Sequence, residues 1–202
     1  MNERYFLEIM KTKAASLHRY GFSEAAFDET AKHVATMVEE FSVNKGAYLQ
    51  RIGIPAEYIY LLTKGIVRSG FYGINGEEVT VRFYAEGYRG FTSDHFFSKT
   101  KHPAGCFLIA ETDVEGFRIK IDTLDKMAAE HPLVNKYRSE LLEYQVKLSP
   151  DHDVNKCLST AQERLATFRL EYPDLEARIS KKILASYLNV TPQYMSELLR
   201  RK

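Results

Sequence analysis

The chain has 202 residues, with 28 Lys and Arg against 27 Asp and Glu and a formal charge of +1. That balance excludes a polycation held to nucleic acid by bulk charge, and 45% hydrophobic with 27% charged residues is the make-up of a globular domain, not of a disordered chain. The longest apolar runs, Ile59-Tyr60-Leu61-Leu62 and Cys106-Phe107-Leu108-Ile109-Ala110, fall far short of the ~18 residues a membrane helix needs. The first residues, MNERYFLEIMKTK, mix acids with bases and offer no small-residue cleavage site, so no secretion signal is read and a cytoplasmic location without membrane partners is expected. Cys106 and Cys157 are the only cysteines, which leaves no disulfide framework and too few thiolates for an iron–sulfur cluster in one chain.

Residues 1–40 read as helical, with Ser23 as an N-cap and Phe27, Ala31, Val34 and Val38 on one helix face. From Phe41 to Lys120 the pattern changes to short β-type runs at Ala47–Ile52, Tyr58–Thr63, Ile66–Tyr72, Glu78–Tyr84, Cys106–Glu111 and Val114–Lys120, divided by Gly, Pro and Asn. Gly73-Ile74-Asn75-Gly76 is the clearest turn; its Asn-Gly pair predicts a two-residue hairpin with two positive φ angles, and Val79, Val81 and Phe83 then share one strand face. Many short strands at even spacing imply a sandwich, jelly roll or barrel.

Helical pattern returns at Asp122, read as an N-cap, and at His131-Pro132. In the second of these helices Val134, Tyr137, Leu141, Tyr144 and Leu148 follow a/d spacing over about two heptads. A helix packed on its own β domain and a dimer seam satisfy that pattern equally well. Ser149-Pro150-Asp151-His152-Asp153-Val154-Asn155 reads as a linker. Beyond it the charge is segregated: residues 178–202 hold six basic side chains against Glu197 alone, a net +5, which leaves −4 for the rest.

Thr160-Ala161-Gln162-Glu163 has the form of a capping box, Pro173 stops the helix it opens, Ser180 caps the next, and Thr191-Pro192 opens the last. Leu184, Ala185, Leu188, Asn189, Val190, Met195 and Leu198 fit a helix-turn-helix, with Asn189 at the turn position that needs a left-handed conformation. Such a module sets its last helix in the major groove of double-stranded DNA. Gln193, Tyr194 and Glu197 would then face bases, Thr191 and Ser196 bases or phosphates, and Lys181, Lys182, Arg200 and Arg201 phosphates. A solvated helix face is the alternative for each, most evenly matched at Glu197.

A β-rich domain, a long helix and a C-terminal helix-turn-helix in that order resemble the Crp/Fnr family of bacterial transcription regulators. The likeness is carried by Asn44-Lys45-Gly46-Ala47-Tyr48-Leu49, Tyr58–Arg68 with Gly65 between two strands, Asn75–Thr80, Gln162-Glu163-Arg164-Leu165, Glu171–Leu175 and Leu184–Pro192. It implies an α+β chain: an N-terminal helical segment and a cyclic-nucleotide-binding-like jelly roll over residues 1–130, a long dimerisation helix over 131–150, and a DNA-binding domain over 151–202. It further implies a homodimer on a two-fold operator, with a small-molecule effector and RNA polymerase as further partners. The effector pocket would be formed around Arg89, Gly90, Thr92, Ser93, Ala104 and Gly105.

Two departures from the family pattern bear on mechanism. Cyclic-nucleotide-binding members pair the cyclic phosphate with an arginine followed by Ser or Thr, and Ala104 and Gly105 stand at those places, so cyclic AMP is not the expected effector. The base-reading arginine of many members falls on Glu197, so their operator does not carry over. No His-x-His pair or other metal spacing is present, so neither an enzyme, a metal site nor a haem is expected. The competing reading is a degenerate effector domain that serves as a protein-interaction module, its helix-turn-helix kept only for packing.

Overall fold

The computed structural model describes residues 8, 24–86, 91–92, 103–136, 138–139 and 158–200. Helix α1, Glu24–Ala35, precedes eight strands: β1 Glu39–Val43, β2 Tyr48–Gln50, β3 Tyr58–Lys64, β4 Ile66–Tyr72, β5 Glu78–Ala85, β6 Phe91–Thr92, β7 Phe107–Ala110 and β8 Val114–Lys120. Helix α2, Ile121–Glu130, follows, then a helical stretch over 132–136. The C-terminal helices are α3 Ala161–Glu171, α4 Leu175–Arg178, α5 Lys181–Tyr187 and α6 Pro192–Arg200. The strands form two four-stranded sheets, ordered β1-β8-β3-β6 and β2-β7-β4-β5, so the jelly roll and the α+β class hold. The chain divides into two compact units, Met1–Val67 with Tyr84–Tyr144, and Arg68–Phe83 with Gln145–Lys202.

In the first unit, Tyr60, Leu62, Val67, Tyr84, Leu108, Ala110 and Val114 fill the space between the sheets. The other face of β3 and β8 carries Ile59 and Ile119, which pack against Met127, Ala128, Val134, Val34 and Val38. With helices outside and a second sheet inside, β3 is buried on both faces, which explains why Tyr58–Leu62 reads as an unbroken apolar run instead of alternating. Val134, one of the five seam positions, is 5% exposed and packs in this outer cluster. Tyr137, Leu141, Tyr144 and Leu148 lie outside the described residues. Arg138 pairs with Asp125 at 2.6 Å and ties the 132–139 segment to α2.

Glycine is required at the β3–β4 corner. Gly65 has φ +93°, and a Cβ there would stand 2.3 Å from the Asp113 carbonyl oxygen. Around it the Thr112 hydroxyl accepts from the Ile66 N–H at 2.9 Å and the Asp113 carboxylate accepts from the Lys45 N–H at 2.9 Å.

Three local expectations need correction. Helix α2 starts one residue before Asp122: its N-cap is Lys120, with no side-chain cap, because β8 runs straight into it. Asp122 instead lies in the first turn, where its charge favours the helix dipole. The β4–β5 turn has positive φ only at Gly76, at +80°, while the Gly76 N–H bonds the Gly73 carbonyl and the Gly73 N–H bonds the Glu77 carbonyl. That is the longer hairpin loop, in which one left-handed glycine after the turn restores the strand twist. Strands β1 and β6 have no counterpart among the expected runs: β1 is mostly exposed and β6 has two residues.

The Tyr60 hydroxyl donates to the Leu49 carbonyl at 3.0 Å, and burial pushes its pKa from 10.0 up to about 12, with Arg118 pulling the other way. The folded state thus holds the proton more tightly than the unfolded one, so this contribution to stability is complete below pH 10 and is lost as pH rises through about 12. Against Tyr60→Phe, the wild type's neutral-pH advantage, about 1 kcal/mol for the hydrogen bond, is expected to vanish in denaturant titrations across that window. Gly65→Ala is expected to lower stability in urea by more than about 2 kcal/mol. Gly46→Ala, with φ +86° but no atom within 4 Å of its new Cβ, should cost only about 1 kcal/mol.

Candidate nucleic-acid interface and effector position

The C-terminal helices are built from local signals that the structure bears out. The Thr160 hydroxyl accepts from the Glu163 N–H at 3.3 Å while the Glu163 carboxylate accepts from the Thr160 N–H at 2.7 Å, and these bonds hold the Glu163 carboxyl below its ordinary pKa. α3 ends at Glu171, with Tyr172 as C-cap before Pro173. Ser180 caps α5 by accepting from the Ile183 N–H at 3.3 Å. At the end of α5, Asn189 takes φ +54°, its N–H bonds the Ser186 carbonyl, and the Val190 N–H reaches back to the Ala185 carbonyl. This pair of bonds is the Schellman closure, which satisfies carbonyls that a helix end leaves free. Leu184, Ala185, Leu188 and Met195 are buried, and Val190 and Leu198 half-buried, so the two helices lock through the positions the spacing indicated.

The face of α6 opposite Met195 carries Gln193, Tyr194, Glu197 and Arg200, all exposed, with Tyr194 42% accessible. Spacings of four and seven put Glu197 and Arg200 in one file with Gln193, and Tyr194 borders it three residues before Glu197. Lys181 and Lys182 are exposed at the start of α5. Two of the side chains expected at DNA are engaged within the helix: Thr191 caps α6 by accepting from the Tyr194 N–H at 3.2 Å, and the half-buried Ser196 donates to the Pro192 carbonyl at 3.0 Å. Arg201 lies outside the described residues.

Arg164 is a structural residue whose role no sequence pattern indicates. Its Nε donates to the Leu188 carbonyl at 2.9 Å and its Nη1 to the Ser159 carbonyl, so one guanidinium ties the start of α3 to the turn between α5 and α6. A cation at a helix C-terminus is favoured by both hydrogen bonding and the dipole. Arg169 grips Glu176 through two bonds, 2.6 and 2.9 Å, and fixes α4 against α3.

The effector position is described only in part. Arg89, Gly90 and Ser93 lie outside the described residues, and Thr92 is placed by backbone alone, opposite Tyr60 in the β3–β6 pair. Ala104 is 2% exposed; its N–H bonds the Ile54 carbonyl at 3.1 Å and its carbonyl accepts from the Gly53 N–H at 2.9 Å. The adjoining Pro55 and Pro103 form an isolated bridge. At Ala104, where the sequence resemblance would put a phosphate-binding arginine, the chain offers a methyl group on a backbone already engaged. That residue does not fit a cyclic phosphate, and Gly105 beside it brings no hydroxyl. Among the described residues no group of three or more His, Cys, Asp or Glu could hold a metal ion, and no helix is long and apolar enough to cross a membrane.

Residues 40–131, the roll from β1 through α2, match the cyclic nucleotide-binding domain family. No curated protein sequence matches the chain. Among solved structures it is similar to FixK2 from Bradyrhizobium japonicum, with 25% identity over 81% of this chain and 83% of that one and a TM-score of 0.70. The c-di-GMP responsive global regulator CLP of Xanthomonas campestris follows at 15% identity, 86% and 90% coverage and a TM-score of 0.68. A mutant of CooA from Carboxydothermus hydrogenoformans shares 20% identity over 84% of this chain and 78% of that one, with a TM-score of 0.65. A transcriptional regulator of the crp/fnr family from Eubacterium rectale is a further neighbour, at 16% identity over 90% of this chain and 84% of that one with a TM-score of 0.68, so the fold that the resemblance implies is found in a member of that family.

Asn189→Ala is expected to destabilise the protein by about 1 kcal/mol, the cost of a left-handed residue with an unsupported Cβ, whereas Asn189→Gly should not destabilise it. Denaturant midpoints of the two variants check this directly.

Proposed function

We propose that the chain is a sequence-specific DNA-binding transcription regulator of Crp/Fnr type, acting as a homodimer on a two-fold operator and residing in the cytoplasm. One observation carries the reading: a helix locked from behind by Met195 presents Gln193, Tyr194, Glu197 and Arg200 outward, and the helix before it opens on two exposed lysines. The lysines support it in a second way. Lys181 and Lys182 open α5, where the helix dipole does not favour cations, and their exposure suits phosphate contact. Gln193 can pair bidentately with adenine, and Glu197 can accept from the cytosine amino group.

The roll is proposed to answer a small molecule other than cyclic AMP, or none. A buried phosphate without a partner is costly, an arginine fork is its usual remedy, and Ala104 supplies neither charge nor donor. No catalytic role is proposed for any residue.

Lys181→Ala/Lys182→Ala is expected to weaken binding to all duplexes alike and to reduce the slope of log K against log salt by about 4, one unit for each phosphate the two protomers leave without a lysine. Titrations of a genomic fragment from about 50 to 200 mM salt measure it. An unchanged slope and affinity would favour a helix-turn-helix kept for packing alone.

A further inference from the structure

Strand β5 is the last strand of its sheet, so its outer N–H and C=O groups have no neighbouring strand to bond. Ser186, on the first helix of the helix-turn-helix, takes two of them. Its Oγ accepts from the Thr80 N–H at 2.9 Å and donates to the Glu78 carbonyl at 3.0 Å. These are the two groups a partner strand would have bonded, and Thr80 is only 1% exposed. Glu78 is itself held from across the hairpin by the buried Arg68, whose guanidinium pairs with its carboxylate.

Three residues along, Phe83 enters a cluster of aromatic rings from the C-terminal helices. Its ring centroid is 6.0 Å from Phe168, 5.7 Å from Tyr172 and 5.3 Å from Tyr187, within the range in which edge-to-face and tilted pairs attract. Phe83 is 1% exposed, so a strand residue fills the centre of the helical core. The distal hairpin, Arg68–Phe83, accordingly groups with the C-terminal residues.

We infer that the β4–β5 hairpin is a working part of the DNA-binding head, and that Ser186 is a positioning residue whose hydroxyl latches α5 to the edge of β5. The recognition face stays exposed while the latch is closed, so the latch orients α6 and does not mask it. The functional half of the inference rests on the DNA-binding reading; the latch itself does not.

The test uses the full chain with Ser186→Ala and Ser186→Thr. Alanine is a better helix former than serine, so Ser186→Ala leaves α5 itself intact while removing both bonds. Amide exchange at Thr80 is expected to be slow in the wild type and in Ser186→Thr, and about tenfold faster in Ser186→Ala. Affinity for a selected operator should fall about fivefold in Ser186→Ala, with binding to random duplex unchanged, and return in Ser186→Thr. Fast exchange at Thr80 in the wild type would overturn the latch, and unchanged operator affinity in Ser186→Ala would overturn its positioning role. A wild type that prefers no operator would instead overturn the DNA-binding reading, and Thr80 exchange would still decide the latch.

Discussion

The C-terminal helices depend on Phe83. They are short, at 11, 4, 7 and 9 residues, and a unit of that size buries too little apolar surface to be stable unaided. Burying one phenylalanine contributes about 1.5–3 kcal/mol, and ring pairing with Phe168, Tyr172 and Tyr187 adds to it. The residue that completes this core comes from a strand, so the helices that would meet DNA and the hairpin of the roll form one packed body.

Tyr84, the next residue along β5, belongs to the core between the sheets. Above this, α5 and α6 need one left-handed residue between them and a small residue at Ala185, and Arg164 closes the turn from outside. Each device spends a side chain on placing α6, while the outward file of α6 is left for contact.

What can be read from the sequence follows from how local the cause is. The capping box at Thr160 and the left-handed turn at Asn189 are legible because few residue types satisfy either geometry. The hairpin at Gly73–Gly76 is legible in place but not in form, because Asn-Gly also suits the longer loop with one positive φ. The heptad spacing around Val134 does not say which surface it meets; a helix face looks the same whether its partner is its own roll or another chain, and Val134 meets the roll. Ser186 and Thr80 lie 106 residues apart, and a hydroxyl bonding the edge of a distant strand leaves no period to detect. Position in the helix alone would assign Thr191 and Ser196 to DNA, and it does not reveal that their hydroxyls bond their own helix.

The central claim is that the exposed face of α6 reads base edges. Selection of the full chain on random duplexes tests it most directly. The account predicts an enriched two-fold motif whose half-site centres lie about 34 Å, one helical turn, apart, with Glu197→Ala changing the preferred base within each half-site. Sequences that remain random after selection, with the protein bound to DNA only through salt-sensitive contacts, would contradict it.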